Sequence, residues 1–422
     1  MLKKMMTDKT VFFMHYIKGV ARRLCRPLLP LRRPLLVAAG LLAAAGLHAQ
    51  SPALLDTIAR NNPTLRAALA GRRAAEAANR AETRLPDPEA EVAYLAGSPS
   101  GVPNRTNVSL TQELDWGVLT GRRKGLAEAA DRTAAARQRG VYREVMGNAL
   151  EQLVLLVHGN RMVAEMEARL ALARQVEGLC QKLYDKGDLT EPEMNKARLN
   201  TAVAKADRQR AEDERAAVTA RLRALNGGLP LVCNDTVYSL PADDLCRAAE
   251  TRTLPRTAAV EGAEAAVAEA DAELKLARAQ QWPSFTVGFQ GEYIRQNNYS
   301  GLSLGLNIPL WGNKRAEVRR REAQLLASRL ELADTQLAAD AEQTILAQQT
   351  RRLMQVADEL HAGLRSTDNS RLLQRSLELG QISLLDYLLE TSFFFTARTA
   401  WLEAERDAYL AAAQLYVLQG GW

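Results

Sequence analysis

Four short segments of the chain alternate between apolar and polar residues, whereas most of the remaining sequence has helical periodicity. The clearest alternation is GLSLGLNIPL, residues 301–310, whose apolar positions are Leu302, Leu304, Leu306, Ile308 and Leu310. A period of two predicts a β-strand with one apolar face. The same pattern predicts strands over residues 89–96, 106–116 and 284–294. The sequence therefore predicts two β-hairpins, at 87–116 and 283–311.

Long helical stretches follow both hairpins. Each hairpin is preceded by an Ala-rich helical stretch, and the predicted long helices occupy residues 121–186 and 313–379. At 1.5 Å per residue, the first of these would reach roughly 100 Å. Leu and Ala recur at helical spacing with charged residues between them, as in coiled coils. Shorter helices are predicted to return over residues 190–226 and 383–419.

A matched motif separates each long helix from its returning helix. Gly187 and Gly380 stand where the long helices should end, 193 residues apart. Each Gly is followed by a hydroxyl residue with an acid three positions later, namely Thr190 with Glu193 and Ser383 with Asp386. A C-terminal Gly and a capping box predict a tight turn between two helices.

The order of these elements occurs twice. The first copy, residues 50–229, and the second, residues 245–422, each contain a helix, a hairpin, a long helix, a turn and a returning helix. A linker over residues 230–244 joins them. The chain is therefore predicted to be an internal duplication.

The first 49 residues have a different character. Basic residues precede an apolar run, 34–46, which ends in Leu47-His48-Ala49. This arrangement predicts an exported chain with a cleaved signal peptide at 1–49. Arg22-Arg23-Leu24 precede Cys25 where a lipoprotein signal needs small residues, so no lipid anchor is expected.

The net charge bears on one class of partner. Without the leader, 46 Lys and Arg face 48 Asp and Glu, so the basic character of the whole sequence belongs to the leader. This balance gives no support for nucleic acid as a partner. Cys233 and Cys246 lie in one irregular segment of an exported chain, which leaves two alternatives open, an intrachain disulfide or two separate thiols.

The predicted strands raise the question of what their apolar faces contact. Alternating strands usually pack on a soluble core, but the flanking helices already use their apolar stripes on one another. Strands of ~10 residues with aromatic residues near their ends suit a membrane-spanning barrel. The residues expected to face lipid are Val108, Leu110, Leu114, Phe285, Val287, Phe289, Leu302, Leu304, Leu306 and Ile308.

Four strands cannot close a barrel alone. Open sheet edges are not tolerated in lipid, so several chains must each contribute their strands, and about three copies would give twelve.

The signal peptide, the duplicated helix–hairpin–helix pattern and the Gly-x-x-[Ser/Thr]-x-x-[Asp/Glu] turns together resemble the TolC-like outer-membrane efflux family of outer membrane factors. The resemblance implies a mainly α protein with β structure. It implies a homotrimer whose outer-membrane barrel of twelve strands continues as a coiled-coil α-helical barrel across the periplasm. It also implies a passive exit duct of a tripartite efflux pump or a type I secretion system.

The resemblance further implies the partners and the functional turns. The expected partners are outer-membrane lipid, a periplasmic adaptor (membrane fusion) protein and an inner-membrane RND or ABC transporter. The turn residues expected to dock the adaptor are Gly187, Asp188, Leu189, Thr190, Gly380, Gln381, Ile382 and Ser383. Candidates for a periplasmic constriction are Glu193, Asp386 and Glu390; a further acid of the family pattern falls on Leu389, which departs from it.

No catalytic or cofactor chemistry is predicted. Outside the leader the histidines are His158 and His361, each alone in a predicted helix and without a Glu or Cys at metal-ligand spacing. We therefore expect no enzyme, no metal and no cofactor. The alternative to a channel is a structural coiled-coil protein that spans the periplasm.

Overall fold

The computed structural model describes residues 51–251, 257–295, 297–308, 313–367 and 369–421; the predicted signal peptide lies outside them. The first part of the chain contains α1 (Ser51–Asn61), α2 (Pro63–Ala81), β1 (Glu89–Leu95), β2 (Arg105–Leu114), α3 (Trp116–Leu119), α4 (Arg122–Lys186) and α5 (Glu191–Leu225). The second contains α6 (Ala242–Thr251), α7 (Ala258–Ala279), β3 (Ser284–Ile294), β4 (Asn298–Asn307), α8 (Asn313–Ser366), α9 (Ser370–Glu378) and α10 (Leu384–Leu418).

The two hairpins join into one antiparallel sheet of order β1-β2-β3-β4. Strands β2 and β3 pair across the repeats, with Leu110 opposite Phe289. The strand ends that connect to helices share one edge of the sheet, since Leu114 lies opposite Phe285 and Phe285 opposite Leu306. All four neighbouring helices therefore leave the sheet on the same side.

Register gives the sheet two unlike faces. Residues directly opposite on antiparallel strands lie on the same face. One face is apolar on all four strands and contains Val92, Tyr94, Val108, Leu110, Leu114, Phe285, Val287, Phe289, Leu302, Leu304 and Leu306. The other is largely polar and contains Glu91, Asn107, Ser109, Thr111, Glu113, Thr286, Gln290, Glu292 and Ser303.

The helices pack side by side and bury several small cores. Helix α4 packs on α5, α8 packs on α10, and α4 also contacts α10, which links the repeats. Ala and Leu dominate the buried positions, because helices approach closely where side chains are small. The chain thus has its core distributed along rods, as expected from the periodicity of its long helices.

Two predicted element boundaries are wrong near the sheet. The predicted strand 106–116 ends at Leu114, because the Asp115 carboxylate accepts a hydrogen bond from the Gly117 N–H at 2.7 Å and caps the short helix α3. Trp116 consequently belongs to a helix. Strand β4 begins at Asn298 and ends at Asn307, so Ile308 lies just outside it.

The predicted helix 313–379 is also wrong in its continuity. Helix α8 ends at Ser366, and α9 begins at Ser370 after the N-cap residue Asn369. The hydroxyls of Ser366 and Thr367 both donate to the Gly363 carbonyl, each at 2.9 Å. Such side chains compete with the backbone for hydrogen bonds and favour caps and turns over helix interiors.

The structure decides between the two cysteine alternatives. Cys233 is buried in a cluster with Ile58 and Leu222, whereas Cys246 is buried in another cluster with Leu415. No disulfide joins them. Their closeness in sequence does not bring them together, since each packs against different long helices. Burial raises the pKa of the Cys233 thiol, which keeps it protonated.

Candidate functional site

The first turn joins α4 to α5 through a left-handed glycine. Gly187 has φ 83°, and its N–H donates to the Tyr184 carbonyl, while the Asp188 N–H reaches back to the Leu183 carbonyl at 2.9 Å. This is a Schellman arrangement, which a residue without Cβ adopts at no steric cost. It ends α4 and reverses the chain within a few residues.

The returning helix begins with an acid–hydroxyl pair. The Thr190 N–H and hydroxyl donate to Glu193 Oε2 at 2.9 and 2.6 Å. These hydrogen bonds from Thr190 lower the pKa of the Glu193 carboxyl, because they stabilise its charged form. Glu193 is therefore ionised and committed to the start of α5.

The second turn repeats this geometry with other residues. Gly380 has φ 67°, and the Gln381 N–H donates to the Ser376 carbonyl at 2.8 Å. The Asp386 N–H donates to Ser383 Oγ at 3.1 Å, and that hydroxyl donates to Asp386 Oδ2 at 2.7 Å. The capping prediction is confirmed at both turns.

A shared hydrophobic cluster holds the two turns together. Its buried members are Val176, Cys180, Met194, Ala197, Leu377, Leu384 and Tyr387. Leu189 and Ile382, one from each turn, pack against it and are partly buried. The remaining predicted docking residues, Gly187, Asp188, Thr190, Gly380, Gln381 and Ser383, are exposed. The structure thus gathers both turns into one end of the helical rods.

The predicted constriction residues lie just beyond this end. Asp386 and Glu390 are exposed and one helical turn apart on α10, whereas Glu193 is half-buried on α5. Leu385 and Leu389 are also exposed on α10. Acidic and apolar side chains therefore alternate along the exposed surface of this helix start.

The apolar face of the sheet is the second candidate site. Leu302 and Leu304 on β4 are 90% and 85% exposed, and Leu110, Phe285, Val287, Phe289 and Leu306 are exposed too. Ile308 is exposed outside the strand, and Val108 and Leu114 are half-buried. Exposed apolar patches of this extent mark interaction surfaces.

Sequence reasoning missed the contribution of β1 to that face. Val92 and Tyr94 are exposed and lie opposite Val108 and Thr106. The alternation in EAEVAYL carries the signal, but it is short and four of its seven positions are Ala or Glu. The register of β1 against β2 is what places these two side chains on the apolar face.

The opposite face borders a polar groove of about 450 Å³. Its lining includes Glu91, Asn107, Gln290 and Glu292, and Glu292 forms an ion pair with Arg105 at 3.0 Å. A polar surface of this kind can face water while the apolar surface faces lipid. The sheet is therefore polar on one face and apolar on the other.

Buried polar groups connect the two repeats through ion pairs and hydrogen bonds between α4 and α10. Glu165 on α4 is buried and accepts from Arg169 at 2.8 Å and from Arg398 on α10 at 2.7 Å. Arg169 in turn donates to the Phe395 carbonyl at 2.9 Å. Elsewhere between α4 and α10, burial and the neighbouring Arg406 lower the pKa of His158 to about 4. The sequence contains no signal for the network around Glu165, because charged residues are common throughout these long helices.

The described part of the chain contains no helix that is both long and apolar enough to cross a membrane. Within the same residues, no group of three or more His, Cys, Asp or Glu side chains could hold a metal ion.

Comparisons with known proteins agree with this geometry. A family model described as "Outer membrane efflux protein" matches residues 251–421. The second part of the chain is therefore similar to this family. The resemblance drawn from the sequence is confirmed, and the proteins of this family are channels and not enzymes.

Solved structures extend the fold similarity over nearly the whole chain. The chain is 13% identical to the CmeC outer membrane channel of Campylobacter jejuni, with a TM-score of 0.70 and 94% of each chain covered. It is 16% identical to the outer membrane protein VceC of Vibrio cholerae, with a TM-score of 0.71, covering 88% of this chain and 96% of that one.

A third structure is the open state of the MtrE outer membrane channel of Neisseria gonorrhoeae, at 18% identity and a TM-score of 0.70. It covers 88% of this chain and 89% of its own. No curated protein matches the chain. The similarity to the outer membrane efflux protein family and the fold together support an outer-membrane efflux channel.

Proposed function

We propose that three copies of this chain form a passive exit duct, with a closed barrel of twelve strands in the outer membrane and the long helices in the periplasm. The observation that carries the proposal is the four-stranded sheet with one continuous, exposed apolar face. Its order leaves β1 and β4 as edges with unpaired backbone groups. Lipid cannot satisfy such groups, so the edges need the sheets of other chains.

The trimer and its location follow from the family resemblance and are part of the same proposal. Each chain contributes four strands, so three chains would build a barrel with a polar lumen from the face that contains Gln290 and Glu292. The predicted signal peptide at 1–49 would export the chain, and no lipid anchor is required. Repeats 50–229 and 245–422, with the linker 230–244, would then surround the channel as pseudo-equivalent units.

A single substitution of an apolar residue by a charged one tests the lipid-facing assignment. Leu304→Arg should cost about 2–4 kcal/mol if the residue lies near the bilayer midplane, and the amount of assembled protein should fall. Ser303→Arg is the matched control, since Ser303 lies on the neighbouring position of β4 but on the polar face. Assembly would be measured as detergent-stable oligomer in outer-membrane fractions. Equal losses in both variants would contradict the barrel.

The turns are proposed to dock a periplasmic adaptor linked to an inner-membrane RND or ABC transporter. Six of their eight residues are exposed, although the shared cluster fixes the positions of both turns. A rigid surface with exposed backbone and polar side chains suits a protein partner. The acids Glu193, Asp386 and Glu390 are proposed to line the periplasmic constriction beside it.

Bulky charged substitutions distinguish docking from simple chain reversal. Gly187→Arg with Gly380→Arg should abolish efflux while oligomers still accumulate in the outer membrane. If the turns only reverse the chain, efflux should fall in proportion to the amount of assembled protein. Normal resistance to exported compounds in cells with well-assembled variant protein would contradict the docking role. Crosslinking from Asp188 or Gln381 would capture the adaptor directly.

A further inference from the structure

The edge of the sheet that joins the helices is surrounded by basic residues. The connections at this edge, together with the adjoining ends of α4, α7 and α8, span residues 82–88, 115–124, 271–283 and 308–322, and they contain eleven Lys and Arg against seven Asp and Glu. The chain without its leader has slightly more acidic than basic residues. Positive charge is thus concentrated where the helices meet the sheet.

Ion pairing separates these cations into two groups. Five of them pair within the chain, as Arg123–Asp115, Lys275–Asp271, Arg278–Glu322, Arg320–Glu317 and Arg321–Glu273. The other six are exposed and form no ion pair within the described residues: Arg84, Arg122, Lys124, Lys314, Arg315 and Arg319. We call these six the basic collar. Glu82 and Asp87 are the exposed acids of the same segments that lie near Arg84 in sequence.

The basic collar adjoins the apolar face of the sheet. Leu114, Phe285 and Leu306 form the last row of that face and lie opposite one another at the helix edge. Arg122 and Lys124 lie in the first turn of α4, and Arg315 and Arg319 in the first two turns of α8, so all four are within about 10 Å of their helix starts. Exposed positive charge therefore follows the apolar face along the chain, at the start of both long helices.

Aromatic residues lie at the same boundary. Trp282, between α7 and β3, is 65% exposed, and the ring of Trp116 lies 6.0 Å from that of Phe285. Trp is enriched where hydrocarbon meets headgroups, because its ring is apolar and its N–H is polar. This places the boundary between bilayer core and headgroups at the helix edge of the sheet.

We propose that the basic collar binds the anionic headgroups of phospholipids in the membrane leaflet that faces the helices. The inference rests on the proposed membrane insertion of the sheet and adds a specific lipid partner to it. Juxtamembrane Lys and Arg are attracted to anionic lipid headgroups, and their long side chains can follow the headgroup layer. Binding would fix the depth of the barrel and stabilise the helix–sheet junction.

The test compares lipid retention by the assembled full-length protein in detergent. Phosphatidylglycerol, zwitterionic phosphatidylethanolamine and free glycerol phosphate would be added separately, and bound molecules counted by native mass spectrometry. The protein should retain phosphatidylglycerol over phosphatidylethanolamine by about threefold or more, and it should retain no glycerol phosphate. Retention of glycerol phosphate alone would point to an anion site without membrane contact and overturn the proposal.

A variant with Arg122→Gln, Lys124→Gln, Arg315→Gln and Arg319→Gln should lose the preference for phosphatidylglycerol. The matched control replaces four exposed cations far along the helices, with Lys205→Gln, Arg221→Gln, Arg352→Gln and Arg365→Gln, and it should keep the preference. An unchanged preference in the collar variant would overturn the proposal. So would altered anion permeation in lipid bilayers without altered lipid retention, because the side chains would then face the pore.

Failure of the proposed function has a different signature. Protein that forms no oligomer and retains neither phospholipid would contradict membrane insertion itself. Assembled protein that retains both phospholipids equally would contradict only the basic collar.

Discussion

The two halves of this chain build the same turn but not the same helix. In the first half, α4 continues for 65 residues up to Gly187. In the second, α8 ends after 54 residues and α9 adds nine more before Gly380. Both turns nevertheless have a Schellman glycine and an acid–hydroxyl cap, and both pack on one cluster. The geometry of the turn is therefore more strictly maintained than the continuity of the rod that leads to it.

Similarity to the family is found in the second half alone, whereas both halves share one architecture. The outer membrane efflux protein model matches only residues 251–421, although the first half has the same order of hairpin, long helix, turn and returning helix. A few positions suffice to preserve that order: a glycine with positive φ, a cap, and alternating apolar residues in the strands. Most other positions only need to be compatible with a helix surface.

The largest expected effect tests whether the turns are one structural unit. Met194 and Tyr387 come from different halves, and both are 2% exposed in the shared cluster. Met194→Ala and Tyr387→Ala should each lower the free energy of unfolding by about 2–5 kcal/mol. The double variant should lose less than the sum, because the two residues share neighbours. Urea unfolding followed by circular dichroism would measure this.

Leu199→Ala and Leu385→Ala are controls on the same two helices, since both side chains are exposed. Each should change the free energy of unfolding by less than about 0.5 kcal/mol. A strong effect of only one buried variant would show that each half stabilises its own turn.

The second prediction concerns the contact between the halves. His158 on α4 lies near Arg406 on α10, and burial together with Arg406 and Arg161 lowers its pKa to about 4. An unfolded chain binds the proton near the ordinary pKa of about 6.5. Stability should therefore be complete above about pH 6.5 and fall by about 2–3 kcal/mol as the pH drops toward 4.

Unfolding measured between pH 7 and 4 would test this, with His158→Gln removing most of the fall. His361→Gln is the matched control, because His361 lies on α8 and stacks on Trp401. If His158→Gln retains the full pH dependence, other groups are responsible for it.

The smallest expected effect tests whether the second long helix is interrupted where the first is continuous. Amide hydrogen exchange at Asn369 should be about tenfold or more faster than at Val176, which lies at the corresponding distance before Gly187. The reason is that α4 continues through these positions, whereas α8 has already ended. Mass spectrometry of exchanged peptides would resolve the two segments. Equal protection would contradict a break in solution.

Features that depend on local residue chemistry could be predicted from the sequence. The two turns follow from Gly187, Gly380 and their caps, and the strands follow from alternation. Errors arose where a neighbour in space or a competing hydrogen bond decides the outcome. Asp115 looks like the polar side of a strand but caps α3, and the hydroxyls of Ser366 and Thr367 donate to the Gly363 carbonyl where α8 ends.

Long-range contacts were beyond the reach of sequence patterns. The separation of Cys233 from Cys246, the ionic network around Glu165 and the contribution of Val92 to the apolar face all depend on which helices and strands become neighbours. The spacing of these residues in the sequence does not indicate which helices and strands become neighbours. The docking role proposed for the turns came from the family resemblance alone, because a glycine and a cap equally describe a simple chain reversal.

The cluster shared by the turns also limits how the length of the protein can change during evolution. Leu189 and Ile382 must stay level to pack on it, so a deletion in α4 alone would pull one turn away from the other. Removing about seven residues, two helical turns, shortens a rod by roughly 10 Å. Such a change would have to occur in α4, α5, α8 and α10 together. We therefore expect relatives adapted to cell envelopes of different depth to differ by coordinated insertions in all four helices.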